Sequence, residues 1–215
     1  MKTEPRVFIV ESLRFSDEKD DLFEGKVLSR ILKLSGSKTE YVYLRTKREL
    51  KKIIDRFKDS GYRYLHFSCH GNKSGIDLTL DNLSFAELGE MLASCLDKRR
   101  VFFSSCEVMN EKLAEALLRD TGCYSVIGPS KSINFDRAAI YWASFYHLML
   151  RDEAKSMKWK RLKKHTATLQ NLFGVHMRYF STSKSAKNGF KEVPLGANKS
   201  LYQMRRNRRT GELGN

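Results

Sequence analysis

Cysteine, proline and long apolar runs are all scarce in this chain of 215 residues. Its four cysteines, Cys69, Cys95, Cys106 and Cys123, are too few and too scattered for a disulfide framework. No CxxC pair exists to hold zinc, so free thiols in a reducing cytoplasm are expected, with no metal and no cofactor. No stretch approaches 18 uninterrupted apolar residues; the nearest, Ala138–Leu150, is broken by Tyr141, Ser144 and His147. The opening MKTEPRVFIVESLR lacks the small-residue cleavage site of a secretory signal. A soluble, non-secreted, cytoplasmic protein with no membrane partner is the expectation. With 41% hydrophobic and 30% charged residues beside only 3 prolines, the composition excludes a disordered polypeptide. A chain of this length hides roughly 70% of its unfolded surface, enough to enclose a pocket dry enough for chemistry.

The formal net charge of +15 is unevenly spread. Residues 1–150 carry 24 Lys/Arg and 21 Asp/Glu, a net of +3, whereas residues 151–215 carry 16 and 4, a net of +12. This asymmetry divides the chain into a balanced body, 1–150, and a basic C-terminal extension, 151–215, that can meet nucleic acid, an acidic partner or an anionic surface.

Along the body, strand and helix patterns alternate. Arg6–Leu13 is an apolar run of strand length, and Asp21–Leu34 carries Leu22, Phe23, Val27, Leu28, Ile31 and Leu32 at helical spacing. Tyr41–Leu44 reads as a second strand, Lys47–Phe57 as a helix and Tyr62–His70 as a third strand. Gly75–Leu83 alternates like a short hairpin. Ser84, with Glu87 three residues on, opens a helix by the capping-box pattern. Arg100–Cys106 is the fourth main strand, Glu111–Arg119 a helix, Tyr124–Gly128 the fifth strand and Phe135–Leu150 a long apolar helix. Unbroken apolar strands separated by amphipathic helices predict an α/β three-layer sandwich, with a mostly parallel sheet covered by helices on both faces. Beyond Arg151, Lys158–Phe173 can form a basic helix with Trp159, Leu162, Leu169 and Leu172 as its apolar residues, and Val175–Phe180 can form a strand. Ser181–Asn215 reads as loose, or ordered only by a partner.

Ligands of an open α/β sheet gather beyond the carboxyl ends of its strands. Two residues with nucleophilic or basic chemistry occupy such ends: His70, closing YLHFSCH, and Cys106, closing VFFSSC. Neighbouring strands lie about 4.8 Å apart, so these side chains can meet. A free thiol is mostly protonated at neutral pH, and a nearby imidazole can take its proton, which makes His70 the candidate base and Cys106 the candidate nucleophile. Gly71, with no Cβ, lets backbone N–H approach a substrate carbonyl, so Gly71 and the amide of Cys106 are candidates for an oxyanion hole.

His70 and Gly71 at a strand end, a following hairpin and amphipathic helix, Cys106 at the next strand end, then Val126, Ile127, Gly128 and a helix reading FDRAA with Phe145 and Tyr146 resemble the CHAT domain of caspase-like cysteine proteases, relatives of caspases and separase. The likeness spans about residues 60–150. It implies a caspase-haemoglobinase fold for residues 1–150, a His70/Cys106 dyad and cysteine endopeptidase activity on a protein substrate, often in prokaryotic antiviral defence or regulated cell death. Separase-like members hold a basic P1 side chain with a carboxylate, for which Glu107 and Asp136 are the nearest candidates. The large regulatory repeats of some relatives are absent from this sequence, so activation is expected from a separate regulatory protein or from the basic region.

Other chemistry-bearing residues read more simply. Cys69 points away from His70 by strand alternation and packs, as do Cys95 and Cys123. His66 shares a face with His70 but lies roughly 13 Å down the strand, as a buried, hydrogen-bonded histidine. His147 is expected in the core of its helix, whereas His165 and His176 belong to the basic region. His66, Cys69, His70 and Cys106 lack zinc-ligand spacing, Ser104 and Ser105 lack a GxSxG elbow, and the loop from Gly71 to Gly75 lacks P-loop spacing. Arg205, Arg206, Arg208 and Arg209 form a basic cluster that can bind nucleic acid. The rival to the protease is a caspase-like fold with an idle dyad, using its basic region to grip nucleic acid or a partner protein.

Overall fold

The first strand shows why this chain makes a central sheet. In β1 (Glu4–Ser12) the residues from Val7 to Ser12 are all buried, on both faces of the strand, which only a strand covered by two layers can satisfy. The computed structural model describes residues 3–153 and 157–196. After β1 come α1 (Phe15–Lys19), α2 (Glu24–Leu34), β2 (Thr39–Tyr43), α3 (Lys47–Ser60), β3 (Tyr62–Gly71), β4 (Gly75–Asp77) and β5 (Asn82–Ser84). The chain continues through α4 (Phe85–Leu92), a 3₁₀ turn (Ala93–Cys95), β6 (Arg100–Phe103), α5 (Glu111–Leu118), β7 (Ser125–Pro129), α6 (Phe135–Glu153), α7 (Trp159–Phe173), β8 (Met177–Thr182) and β9 (Phe190–Glu192).

The sheet runs β2-β1-β3-β6-β7-β8-β9. The first five strands in that order are parallel, and β8 and β9 join antiparallel. The β4–β5 hairpin hangs from the end of β3, with His70 opposite Asp77 and Gly71 opposite Ile76. Phe8, Val10, Leu65, Phe67, Val101 and Phe103 face α3, α4 and α5, while Val7, Ile9, Tyr64, Phe102 and Ile127 face α2, α6 and α7. This is the expected α/β three-layer sandwich. Each such side chain, fully buried, contributes about 1.5–3 kcal/mol against conformational entropy.

Local chemistry fixes the helix ends. Thr46 accepts from the Glu49 amide while Glu49 Oε2 accepts from the Thr46 amide at 2.9 Å, and Gly61 closes α3 in the left-handed conformation at φ 68°. Ser84 and Glu87 form the same reciprocal box at the start of α4, as their spacing predicted.

Several expectations are corrected. The helix expected over Asp21–Leu34 begins at Glu24 and is preceded by the short α1, which has too few residues to show a period. The fourth main strand ends at Phe103, so Cys106 sits in the turn beyond it rather than on the strand itself. The strand expected over Val175–Phe180 is β8, shifted by two residues, and β9 orders part of the segment read as loose. His147 is exposed on α6, and Trp159 and Leu172 are 53% and 51% exposed; only Leu162 and Leu169 of that expected stripe are buried. The boundary drawn at residue 150 falls inside α6. The arginine cluster at 205–209 lies outside the described residues. No helix among those described is long and apolar enough to cross a membrane.

Candidate active site

Because β3 and β6 are parallel neighbours with Phe67 opposite Phe103, their carboxyl ends open on the same rim of the sheet. Pairing extends one residue further, where the Ser104 amide donates to the Phe67 carbonyl at 2.8 Å. The chain then turns through Ser105, Cys106 and Glu107, with Glu107 in the left-handed region at φ 56°. The turn leans across to the end of β7, as the Met109 amide donates to the Pro129 carbonyl at 3.0 Å. Gly71 closes β3 against this turn: a Cβ there would come 2.4 Å from Val108 Cγ1 and 3.1 Å from Ser105 Cβ. Only glycine allows that approach.

His70 and Cys106 line one small cavity of about 40 Å³, together with Glu24, Ser68, Ser104 and Phe135. The imidazole of His70 is fixed from two sides. Its Nε2 meets Asp17 Oδ2 at 2.7 Å, and its ring stands edge-on to Phe135 with centroids 5.6 Å apart. The same Asp17 oxygen also accepts from the Arg14 amide at 3.1 Å. A carboxylate at Nε2 makes that nitrogen the protonated one in a neutral ring, which leaves Nδ1 as the proton acceptor. Among the described residues no hydrogen bond joins His70 to Cys106. The sulfur instead accepts from the Ile133 amide at 3.3 Å and lies 3.4 Å from the Ile133 carbonyl and 3.7 Å from Ser132 Oγ.

Beneath the cavity lies a buried polar cluster. Glu11 and Glu24 are 0% and 3% exposed. Glu11 accepts from the Gly25 amide at 2.6 Å, the Lys26 amide at 3.2 Å and Tyr41 Oη at 2.7 Å. Burial pushes its carboxyl up, opposed by these donors. Ser68 Oγ bridges Glu11 Oε1 at 3.2 Å and Glu24 Oε2, and Ser104 Oγ reaches Glu24 Oε1 at 3.2 Å. Burial first, with the neighbouring Glu11 charge adding to it, pushes Glu24 up to about 7. Valence agrees: Ser68 owns one hydroxyl hydrogen for two carboxylates, so a proton on Glu24 completes the chain from Glu24 through Ser68 to Glu11.

His66 closes the cluster, with Nε2 2.9 Å from Ser104 Oγ and Nδ1 3.1 Å from Tyr146 Oη. Its burial pushes the imidazole down to about 3, so it stays neutral and structural, as a buried histidine at that register was expected to be. Cys69 and Cys123 are pushed up to about 12, and Cys95 to about 11, each by burial; all three remain packed, inert thiols.

The structure thus brings His70, Gly71 and Cys106 to one rim. Glu107 and Asp136 do not line the cavity, and Asp136 is exposed on the first turn of α6. The carboxylate that does line it is Glu24. Sequence reading missed Asp17, Glu11 and Glu24, yet two signals were present. The loop after β1 opens on the same rim as the loops after the other parallel strands, which makes Asp17 a neighbour of His70. Glu11 interrupts a strand whose pattern already required burial on both faces, and a buried carboxylate needs partners. Groups of His, Cys, Asp and Glu able to hold a metal ion are absent among the described residues.

No family model matches this chain, and a search of curated proteins found no match either.

Proposed function

We propose that this chain is a cysteine endopeptidase working through His70 and Cys106. One observation carries the reading: an imidazole from the end of β3 and a thiol from the turn beyond β6 line the same cavity, and a carboxylate occupies the imidazole nitrogen that the reaction does not need. In the reaction, the Cys106 proton passes to His70 Nδ1 and the sulfur attacks the peptide carbonyl carbon. The carbonyl oxygen gains negative charge facing the amides of Gly71 and Cys106, and the C–N bond breaks as Nδ1 returns the proton to the departing amine. Water then hydrolyses the thioester and regenerates the thiol.

The resting geometry also supports regulation. A cavity of about 40 Å³ holds only two or three waters, and Cys106 is engaged by Ile133. Substrate entry requires the segment from Ser130 to Asn134 to draw back. A separate activating protein is the simplest source of that movement, in keeping with a cytoplasmic effector of prokaryotic defence or regulated cell death.

The test compares wild type with Cys106→Ala and His70→Ala in a proteome-wide survey of new protein N-termini, alongside labelling by a thiol-directed peptidyl electrophile. Both variants should lose cleavage and labelling while melting close to wild type. Cleavage that survives Cys106→Ala, or a wild type without any Cys106-dependent cleavage or labelling, sinks the assignment.

A further inference from the structure

We propose a second site: the groove between the start of α7 and the β8–β9 edge binds single-stranded nucleic acid. It encloses about 1280 Å³, beyond the roughly 300–1,000 Å³ of small-molecule pockets. Arg100, Lys160, Lys163 and Lys191 are among its cations. The carboxylate in its lining, Glu192, is already held by Arg178 through Nε at 2.8 Å and Nη2 at 2.6 Å. Two aromatic faces are open there, Trp159 at 53% and Tyr124 at 44% exposure. The Arg100 guanidinium lies 5.3 Å from the Tyr124 ring centre and the Lys160 ammonium 6.0 Å from that of Trp159.

Arg100 is the observation that points to an anion. It is 8% exposed and gives Nη1 to Ser125 Oγ at 2.7 Å, yet its buried Nε has no hydrogen-bond partner. Among the described residues no carboxylate pairs with it. Ser125, the Tyr124 ring and the Tyr179 hydroxyl are neutral neighbours, so the buried positive charge keeps a desolvation cost that a bound anion would offset. The start of α7 adds to the field: its first turn carries no acidic residue and no side chain caps it.

Cations explain attraction to any polyanion, and the exposed aromatics select among them. Trp and Tyr faces beside a cationic groove form a stacking platform for unpaired bases, which a duplex keeps stacked inside itself and an acidic peptide does not possess. The chain's own C-terminal segment, with Lys199, Arg205, Arg206, Arg208 and Arg209 against Glu212, has the wrong charge to fill the groove. Arg100 and Ser125 begin β6 and β7, so the groove lies at the rim opposite His70 and Cys106.

The 215-residue chain can be titrated against a fluorescein-labelled oligo-uridine and an oligo-thymidine, each roughly 15 nucleotides. The readouts are anisotropy and quenching of Trp159, since Trp142 is buried. Trp159→Ala should weaken binding about 5- to 160-fold, the effect of removing one stacked aromatic. Lys160→Ala with Lys163→Ala should lower the slope of log affinity against log salt by about 1.4. Replacing Arg205, Arg206, Arg208 and Arg209 together by Ala should leave the Trp159 dependence in place. Labelling of Cys106 should be unaffected throughout, which separates this site from the protease reading. Affinity unchanged by the Trp159 and lysine variants overturns the proposal. So does binding that resides wholly in the four arginines, or a polyglutamate peptide or duplex that binds as tightly as the single strands.

Discussion

Replacing Glu24 by Gln isolates the proton held beneath the cavity. In the folded chain that carboxyl sits at about 7, against an ordinary value of 4.5, because it is buried beside Glu11. At 1.36 kcal/mol per unit, the difference corresponds to about 3 kcal/mol of pH-dependent stability. Its sign follows from which state keeps the proton. Below pH 4.5 folded and unfolded chains are both protonated and the contribution is intact. As pH rises towards 7 the unfolded chain releases its proton first, so stability falls, and above the folded value the full loss is present. A glutamine amide in this place mimics the protonated acid: it can donate to Ser68, which still donates to Glu11. Urea unfolding should therefore find Glu24→Gln near wild type at about pH 4 and more stable by about 3 kcal/mol at about pH 8, or about 6–12 °C in Tm for a chain of this size. His66, neutral in the folded state, has the opposite slope, but both proteins keep it and it cancels in the comparison. A gap of the same size at both pH values, or a variant less stable at the alkaline end, would refute the reasoning.

Three more outcomes follow from the same contacts. Asp17→Asn removes the carboxylate that sets the His70 tautomer, so turnover should fall by about 10²–10⁴-fold with little change in Tm; an unchanged pH–rate profile would show that Asp17 does not position the imidazole. Gly71→Ala drives a methyl to 2.4 Å from Val108, and it should cost about 1–3 kcal/mol by denaturant titration while abolishing Cys106 labelling through displacement of the turn. Trp142→Ala empties the centre of a ring cluster where Trp142 lies 5.0 Å from His66 and 5.7 Å from Phe102, and should cost about 3–5 kcal/mol in the same assay.

The layered α/β architecture was legible because burial leaves a direct mark on local pattern. A strand covered on both faces must be apolar throughout, as Val7–Val10 is, and a helix covering it must carry a stripe, as Leu50, Ile54 and Phe57 do. The expectation that His70 and Cys106 share one rim of the sheet needed only the rule that parallel strands open on the same side; that Cys106 sits in the turn beyond β6 and contacts Ile133 did not follow from it. What stayed hidden was short or remote. The five-residue α1 that delivers Asp17 has no period to read, and β9 is three residues long.

Long-range partnership was decided by the tertiary structure alone. That Glu24 rather than Glu107 or Asp136 lines the cavity depends on how α2 settles over β1 and β3, where Glu24 meets Ser68, 44 residues further along the chain. The exposure of Trp159 depends on the rotation of α7 about its own axis once Leu162 and Leu169 are buried. Sequence pattern dictates which residues need cover; only the folded chain determines which side chains arrive to share a charge, a proton or a cavity, because those energies depend on distances that no local spacing encodes.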